Sequence, residues 1–223
     1  MKTRKQDEEL LLYSQGQLAF LASQRQRKKA VIWSRIILSI GFLVLWQMAT
    51  YYKDLVKLFN EVPMEPEDTL VDYGCGLGRV LFYANNRHYC KTTGIEGNAD
   101  IYGKLMENVK GYQGTFLEQE DRMKFYNVSA LDYQISPEDN YFYFFNPFSH
   151  EVFREVIEKI MESAKAHPRD INLLVYYPTY QYLRVIRESK MFIQKKFIKL
   201  SNYEKDHDEK VIVYHLSKGF LGL

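Results

Sequence analysis

Cysteine is scarce in this chain of 223 residues: only Cys75 and Cys90 are present. Two thiols build no disulfide framework, and with His88, His150, His167, His207 and His215 scattered along the chain no metal-ligand spacing arises, so no metal is expected. Both cysteines read as reduced thiols of a cytoplasmic protein. An excess of one charge sign is also missing, because 30 basic side chains face 28 acidic ones for a net +2. No overall field therefore draws in a polyanion. Downstream of residue 50 no basic stripe is interleaved with aromatics, and the length leaves no room for a separate target-recognition domain, so nucleic acid is not the expected substrate. Internal repeats and low-complexity tracts are absent as well. The apolar core of residues 36–46 covers only about half of the roughly 20 residues that a bilayer-spanning helix needs.

What is present divides the chain unevenly. Residues 1–49 read as a helical, partly hydrophobic extension, and residues 50–223 as one α/β domain large enough to bury a full core. The extension is polar and basic up to the Arg25-Gln26-Arg27-Lys28-Lys29 cluster, then apolar from 30 to 49, with Trp33 and Trp46 near the ends of that stretch. Two readings stay open for it. A basic cluster beside an apolar helix suits peripheral contact of residues 25–49 with an anionic cytoplasmic membrane face. The same helix suits packing on the domain or on a second copy in a homo-oligomer. An exported domain is disfavoured by its own chemistry, and the apolar region begins too late for a signal peptide. The 18 Tyr and 14 Phe fall largely in the predicted strands, as sheet-face packing requires.

Chemistry concentrates at Val71-Asp72-Tyr73-Gly74-Cys75-Gly76-Leu77-Gly78-Arg79, followed about twenty residues later by Gly94-Ile95-Glu96. An apolar run into alternate glycines describes a buried strand turning tightly into a helix, where a backbone without Cβ atoms admits a ligand closely. The acidic residue closing the next strand suits a ribose diol. The spacing G-x-G-x-G, with Arg79 where a dinucleotide fingerprint has its third glycine, departs from the nicotinamide pattern. Asp72, two residues before the first glycine, would repel a pyrophosphate but suits a cation. S-adenosyl-L-methionine carries a sulfonium and an ammonium and no phosphate.

At these residues the chain resembles the class I, Rossmann-like S-adenosylmethionine-dependent methyltransferases, whose first motif, acidic-x-Gly-x-Gly-x-Gly, matches Asp72, Gly74, Gly76 and Gly78 without a gap. The likeness extends over roughly residues 50–216. It implies that the bend Gly74-Cys75-Gly76-Leu77-Gly78 wraps the methionine end, that Asp72 lies near the ammonium, and that Glu96 holds the ribose hydroxyls. It also implies a catalytic turn at Asn146-Pro147-Phe148, where relatives that methylate amino nitrogens carry an Asn/Asp-Pro-Pro-aromatic sequence. The second proline is missing here, so Asn146 is read either as facing the acceptor or as tying down the strand end. Ser129-Ala130 stands where relatives carry an aspartate for the adenine amino group; Ser129, or Asp132, is the substitute. The acceptor itself is unknown, with a protein lysine or a small-molecule amine favoured. Such an amine reacts neutral, and Phe148 with Tyr51 or Tyr52 supplies an apolar wall that favours this form over the ammonium, whose unperturbed pKa is about 10.4. His150 reads either as a proton acceptor or as an ordinary residue in the first turn of a surface helix. A non-catalytic S-adenosylmethionine-binding scaffold is the alternative to an enzyme.

The order of elements predicts the fold. A short helix over 53–60 precedes strand 69–73, helix 79–87, strand 91–95, a helix capped by Asn98 and running to 110, and strand 123–131. Strand 141–145, a helix capped by Ser149, strand 171–177, helix 180–189 and strands 197–200 and 211–216 follow. Alternation of this kind predicts a doubly wound, mostly parallel seven-stranded sheet. Its last two strands are expected to be antiparallel, as in the methyltransferase family.

Overall fold

The computed structural model describes residues 52–115 and 121–220, together with positions 23, 26, 29–34 and 37, all helical, in the upstream segment. The chain divides into two compact units, residues 1–51 and 52–223. Most of the stretch 25–49, including Trp46, and Tyr51 lie outside the described residues, and with them the membrane and packing readings of that stretch. Among the described residues no helix is long and apolar enough to cross a membrane.

The second unit begins with helix α1 (52–61). It continues through β1 (Thr69–Tyr73), α2 (Arg79–His88), β2 (Lys91–Ile95), α3 (Ala99–Thr115), β3 (Met123–Tyr126) and β4 (Tyr141–Phe144). Helix α4 (His150–Ala166), β5 (Ile171–Tyr176), α5 (Tyr180–Ser189), β6 (Ile193–Lys199) and β7 (Lys210–Leu216) complete it. The seven strands form one mixed sheet in the order β3-β2-β1-β4-β5-β7-β6. All neighbours from β3 to β5 pair in parallel, while β7 pairs antiparallel with both β5 and β6, so β7 alone is reversed.

The period-2 alternation of the strands decides which face meets which helices. Val71 and Tyr73, with their register partners Phe142 and Phe144 and then Leu173 and Val175, point to one face. There they pack with Phe153, Val156, Ile157 and Ile160 of α4 and Tyr182, Val185 and Ile186 of α5. The rings stack through the layer: Tyr73 on Phe144 at 5.3 Å and Phe153 on Tyr182 at 3.8 Å between centroids. Phe153 is fully buried and touches both helices and the sheet, so Phe153→Ala is expected to cost about 3–5 kcal/mol in denaturant-unfolding measurements. On the opposite face Gly94 lets α2 settle close, since a Cβ there would lie 2.9 Å from Leu81 Cδ1.

The boundaries of β1, β2 and α5 coincide with the predicted ones, and most other elements depart by one residue or more. β3 stops at Tyr126 instead of reaching residue 131, because Asn127 turns its side chain back to donate to the Glu96 carbonyl oxygen at 2.7 Å and leaves the ladder. β6 starts at Ile193, four residues before the predicted start, and ends at Lys199; as an edge strand it is exposed at every position but Ile198, so no alternation marks it. Phe145 lies beyond the last residue of β4, and α3 runs on to Thr115.

Between β3 and β4 the chain builds a strap, 127–140, without a helix. Asp139 anchors it, accepting from Tyr133 Oη at 2.8 Å and Ser136 N at 2.8 Å, while Arg169 donates to the Asp139 and Ser136 carbonyl oxygens. A polar cleft of about 270 Å³ lies beneath it, lined by residues that include Thr69, Lys91 and Lys124 from the starts of β1, β2 and β3.

Candidate active site

The sheet reverses its order between β1 and β4, and ligands of open α/β sheets collect at the carboxyl ends of strands at such a point. β1 delivers Asp72 and then the glycine bend. Gly74, Gly76 and Gly78 all adopt left-handed backbone, with φ of 77°, 55° and 82°. The bend hangs from the end of β2, since Gly74 N and Cys75 N both donate to the Ile95 carbonyl oxygen, at 2.9 and 3.1 Å. Gly78 caps α2.

The three glycines are required for different reasons. A Cβ on Gly74 would stand 2.7 Å from Pro147 Cβ, so this glycine lets the turn after β4 close against the bend. A Cβ on Gly78 would meet Leu105 and Phe82 at 2.8 Å. At Gly76 nothing lies within 4 Å among the described residues. The middle of the bend thus faces open space, as a cradle for a ligand must.

Two carboxylates border that space. Glu96 is buried and held by backbone: its Oε2 accepts from Gly76 N at 3.1 Å and its Oε1 from Asn98 N at 2.8 Å. A carboxylate has about four lone-pair sites, so both oxygens retain accepting capacity for hydroxyls. Asp72 is 3% exposed and has neither a hydrogen bond nor an ion pair among the described residues. Burial first, and the neighbouring charge of Glu96 second, push its carboxyl from 3.8 up to about 8. An acidic group so placed is relieved by a cation entering the bend.

The remaining predicted residues separate into those that meet the bend and those that do not. Asn146 follows β4 in a left-handed conformation, φ 44°, that is uncommon for any residue but glycine. Its side chain is exposed and makes no hydrogen bond among the described residues, so it does not tie down the strand end. Pro147 touches Gly74. Phe148 is not a free wall: its ring packs with Tyr73, Phe144, Phe153 and Tyr182, and its carbonyl oxygen accepts from Tyr182 Oη at 2.6 Å. Tyr52 sits edge-on to Tyr83 at 5.8 Å. Cys75 offers the bend its backbone, while its buried thiol lies against Gly94, with its pKa pushed up by burial. Ser129 and Ala130 lie in the strap: Ser129 Oγ accepts from Leu131 N, and Ala130 packs on the core. His150 is exposed beside Glu151 in the first turn of α4.

Two features escaped the sequence reading. Asn127 couples the ends of β2 and β3, and a lone asparagine at a strand end carries no pattern that announces this. Phe145 and Tyr176 stack at 4.3 Å beside Asn146, with Tyr177 adjoining; the signal available was an aromatic immediately before each of two prolines or Asn-Pro pairs, Phe145-Asn146-Pro147 and Tyr177-Pro178.

No protein-family model matches the chain. The H3 lysine-79-specific histone-lysine N-methyltransferase of Dictyostelium discoideum is 26% identical over 127 residues, a match covering 53% of this chain and 7% of that protein. The chain therefore spans a small fraction of that relative's length. Among solved structures, YjhP of E. coli superposes with a TM-score of 0.53 at 12% identity, over 74% of this chain and 91% of that one. An RNA methyltransferase of Salinibacter ruber, solved with S-adenosyl-L-homocysteine, superposes with a TM-score of 0.48 at 15% identity, over 73% and 88%. With the order β3-β2-β1-β4-β5-β7-β6, a single reversed strand at β7 and a glycine bend at the switch point, the chain has the class I, Rossmann-like fold of S-adenosylmethionine-dependent methyltransferases.

Proposed function

We propose that the chain is an S-adenosylmethionine-dependent methyltransferase acting on an amino nitrogen, of a protein lysine or of a small-molecule amine. One observation carries this reading: among the described residues Asp72 is a buried carboxyl without a partner, beside a glycine bend whose middle position is open. The residues fit the cofactor group by group. Asp72 would balance its positive charge, Gly76 would admit it without a side chain in the way, and Glu96 would accept from its ribose hydroxyls. The cofactor supplies a methyl group on a sulfonium, whose carbon–sulfur bond breaks with the electron pair remaining on sulfur.

What the protein contributes is alignment. Displacement from a sulfonium has a neutral leaving group, so the catalytic gain lies in holding the nucleophile in line rather than in covalent help. In this reading Asn146 Oδ1 would accept a hydrogen bond from the acceptor nitrogen and so orient its lone pair. The turn that carries it is braced on one side by Pro147 against Gly74 and on the other by Tyr182 bonding the Phe148 carbonyl oxygen. The acceptor reacts as the free amine, having shed one proton to solvent. The likeness to a histone-lysine methyltransferase supports an amine acceptor, as does the Asn-Pro-aromatic turn. We place the activity in the cytoplasm, with residues 25–49 contacting an anionic membrane face or a second copy.

Titration calorimetry with S-adenosyl-L-methionine tests the first half of the reading, and absence of binding refutes it. Incubating the full chain and cell lysate with a radiolabelled methyl donor tests the second. Label in protein or in small amines is expected, whereas binding without transfer to any fraction would leave a non-catalytic scaffold.

A further inference from the structure

The rings next to Asn146 form a wall with an electrostatic character of its own. Phe145 is 51% exposed although it follows a buried strand. Its ring rests on Tyr176 at 4.3 Å and lies 6.5 Å from Tyr177, and the two tyrosines meet edge-on at 6.2 Å. Tyr177 and Asn146, at the ends of adjacent strands, both hold left-handed backbone, φ 49° and 44°. Such conformations cost free energy at non-glycine positions and are retained where the local shape is used.

The turn between β6 and β7 is pinned to this wall by carboxylates. Tyr176 Oη donates to both oxygens of Glu209, at 3.1 and 3.0 Å, and Tyr177 Oη donates to Asp206 Oδ2 at 2.7 Å. Other acids of the turn have cations of their own: Glu204 pairs with Lys199 and Asp208 with Lys210. Asp206 and Glu209 have no ion pair among the described residues; their partners at the wall are neutral hydroxyls. Burial, and Asp54 nearby, raise the Glu209 carboxyl. Two carboxylates that form no ion pair among the described residues, Asp206 feeling Lys210 and His207 only at longer range, are joined through phenol hydroxyls to an exposed aromatic face and match a single positive charge on an apolar stem.

We propose that Phe145, Tyr176 and Tyr177, with Asp206 and Glu209, form the acceptor-recognition subsite of this chain, and that it takes an aliphatic ammonium group, the methylene stem lying on the Phe145 ring and the charge facing the two carboxylates. The proposal rests on the methyltransferase reading for its place beside Asn146, but recognition of the cation is a property of these five side chains alone. A lysyl side chain and a free alkylamine share this chemistry.

The test is ligand-observed NMR titration of the full chain. The probes are N-acetyl-lysine amide, n-butylammonium and, as the uncharged isostere, N-acetyl-norleucine amide. The lysine probe is expected to bind at least tenfold more tightly than the norleucine probe. Phe145→Ala should weaken it about tenfold, and Asp206→Asn, a polar change that removes no packing, should abolish the preference for charge. Tighter binding of the lysine probe than of n-butylammonium identifies a peptide-borne acceptor, and the reverse a free amine, either of which supports the subsite. Equal binding of lysine and norleucine probes, or an unchanged titration in both variants, overturns it. S-adenosyl-L-methionine affinity, measured in the same samples, should change less than twofold in both variants. Loss of cofactor binding with the amine preference intact would instead strike the methyltransferase reading and leave the subsite standing.

Discussion

Replacing Asp72 by asparagine is expected to raise the melting temperature of the ligand-free chain and, at the same time, to weaken S-adenosyl-L-methionine binding by roughly a hundredfold. The two effects share one cause. The Asp72 carboxyl is buried beside Glu96 with no described residue to offset its charge, so its ionised form is disfavoured until a cation arrives. A unit charge about 5 Å away gains on the order of 3 kcal/mol at an effective dielectric constant near 20, even without direct contact. Asparagine keeps the shape and forgoes that attraction, while relieving the empty protein of a desolvated charge. Each kcal/mol recovered is worth about 2–4 °C in a chain of this size.

The pH dependence carries the same signature. Because the folded-state pKa is raised from 3.8 to about 8, the group permits full stability below about 3.8 and costs progressively more as pH rises to about 8. Cofactor binding runs in the opposite direction. Below about 8 the empty site holds a proton that an incoming cation must expel, so affinity should rise with pH by up to about tenfold per unit and level off above that value. Calorimetry in buffers of different ionisation enthalpy will register the released proton. In Asp72→Asn both slopes should vanish; their persistence would mean that another group governs the site.

The second large effect is expected from two neighbouring glycines that fail in different ways. Gly74→Ala places a methyl 2.7 Å from Pro147 Cβ on a backbone at φ 77°, combining overpacking of about 1–3 kcal/mol with a left-handed penalty of about 1–2 kcal/mol. The turn carrying Asn146 must shift, so stability and methyl transfer should fall together. Gly76→Ala incurs only the left-handed penalty, because none of the described residues lies within 4 Å of the new methyl. That variant should fold with about 1–2 kcal/mol less stability and lose cofactor affinity by about tenfold or more, since the methyl fills the space meant for the ligand. Denaturant unfolding and calorimetry on the pair separate the outcomes. Equal cofactor affinity in Gly76→Ala and the parent chain would remove the bend from the binding site.

How far the sequence revealed all this depends on whether a residue acts locally. The strand, bend and helix from Thr69 to His88 were readable to within a residue, because glycine at positions needing positive φ and apolar runs of strand length are local requirements. The reversed closing strand followed from the family resemblance and is present in the pairing. β6 was half missed since an edge strand buries nothing to set its period, and β3 was overextended because the interaction that ends it reaches across to Glu96. At the site, spacing located Asp72 and Glu96 but not their state. Whether a carboxyl is paired depends on every neighbour in space. The aromatic wall was concealed for a related reason: Tyr-Phe-Tyr-Phe-Phe reads as uniformly core, and only the end of the strand decides that its fifth ring emerges into solvent.

The exposed border strand bears on how the molecule coexists with copies of itself. Unsatisfied amides and carbonyls along the outer side of β6 are a template onto which another polypeptide can zip. Lys195 and Lys196 are exposed on that border, while Lys199 is paired with Glu204, so two such borders brought together would bring the lysine pairs against each other before the backbones could engage. Among the described residues these charges disfavour a further strand adding to the seven, a safeguard suited to a chain rich in tyrosine and phenylalanine.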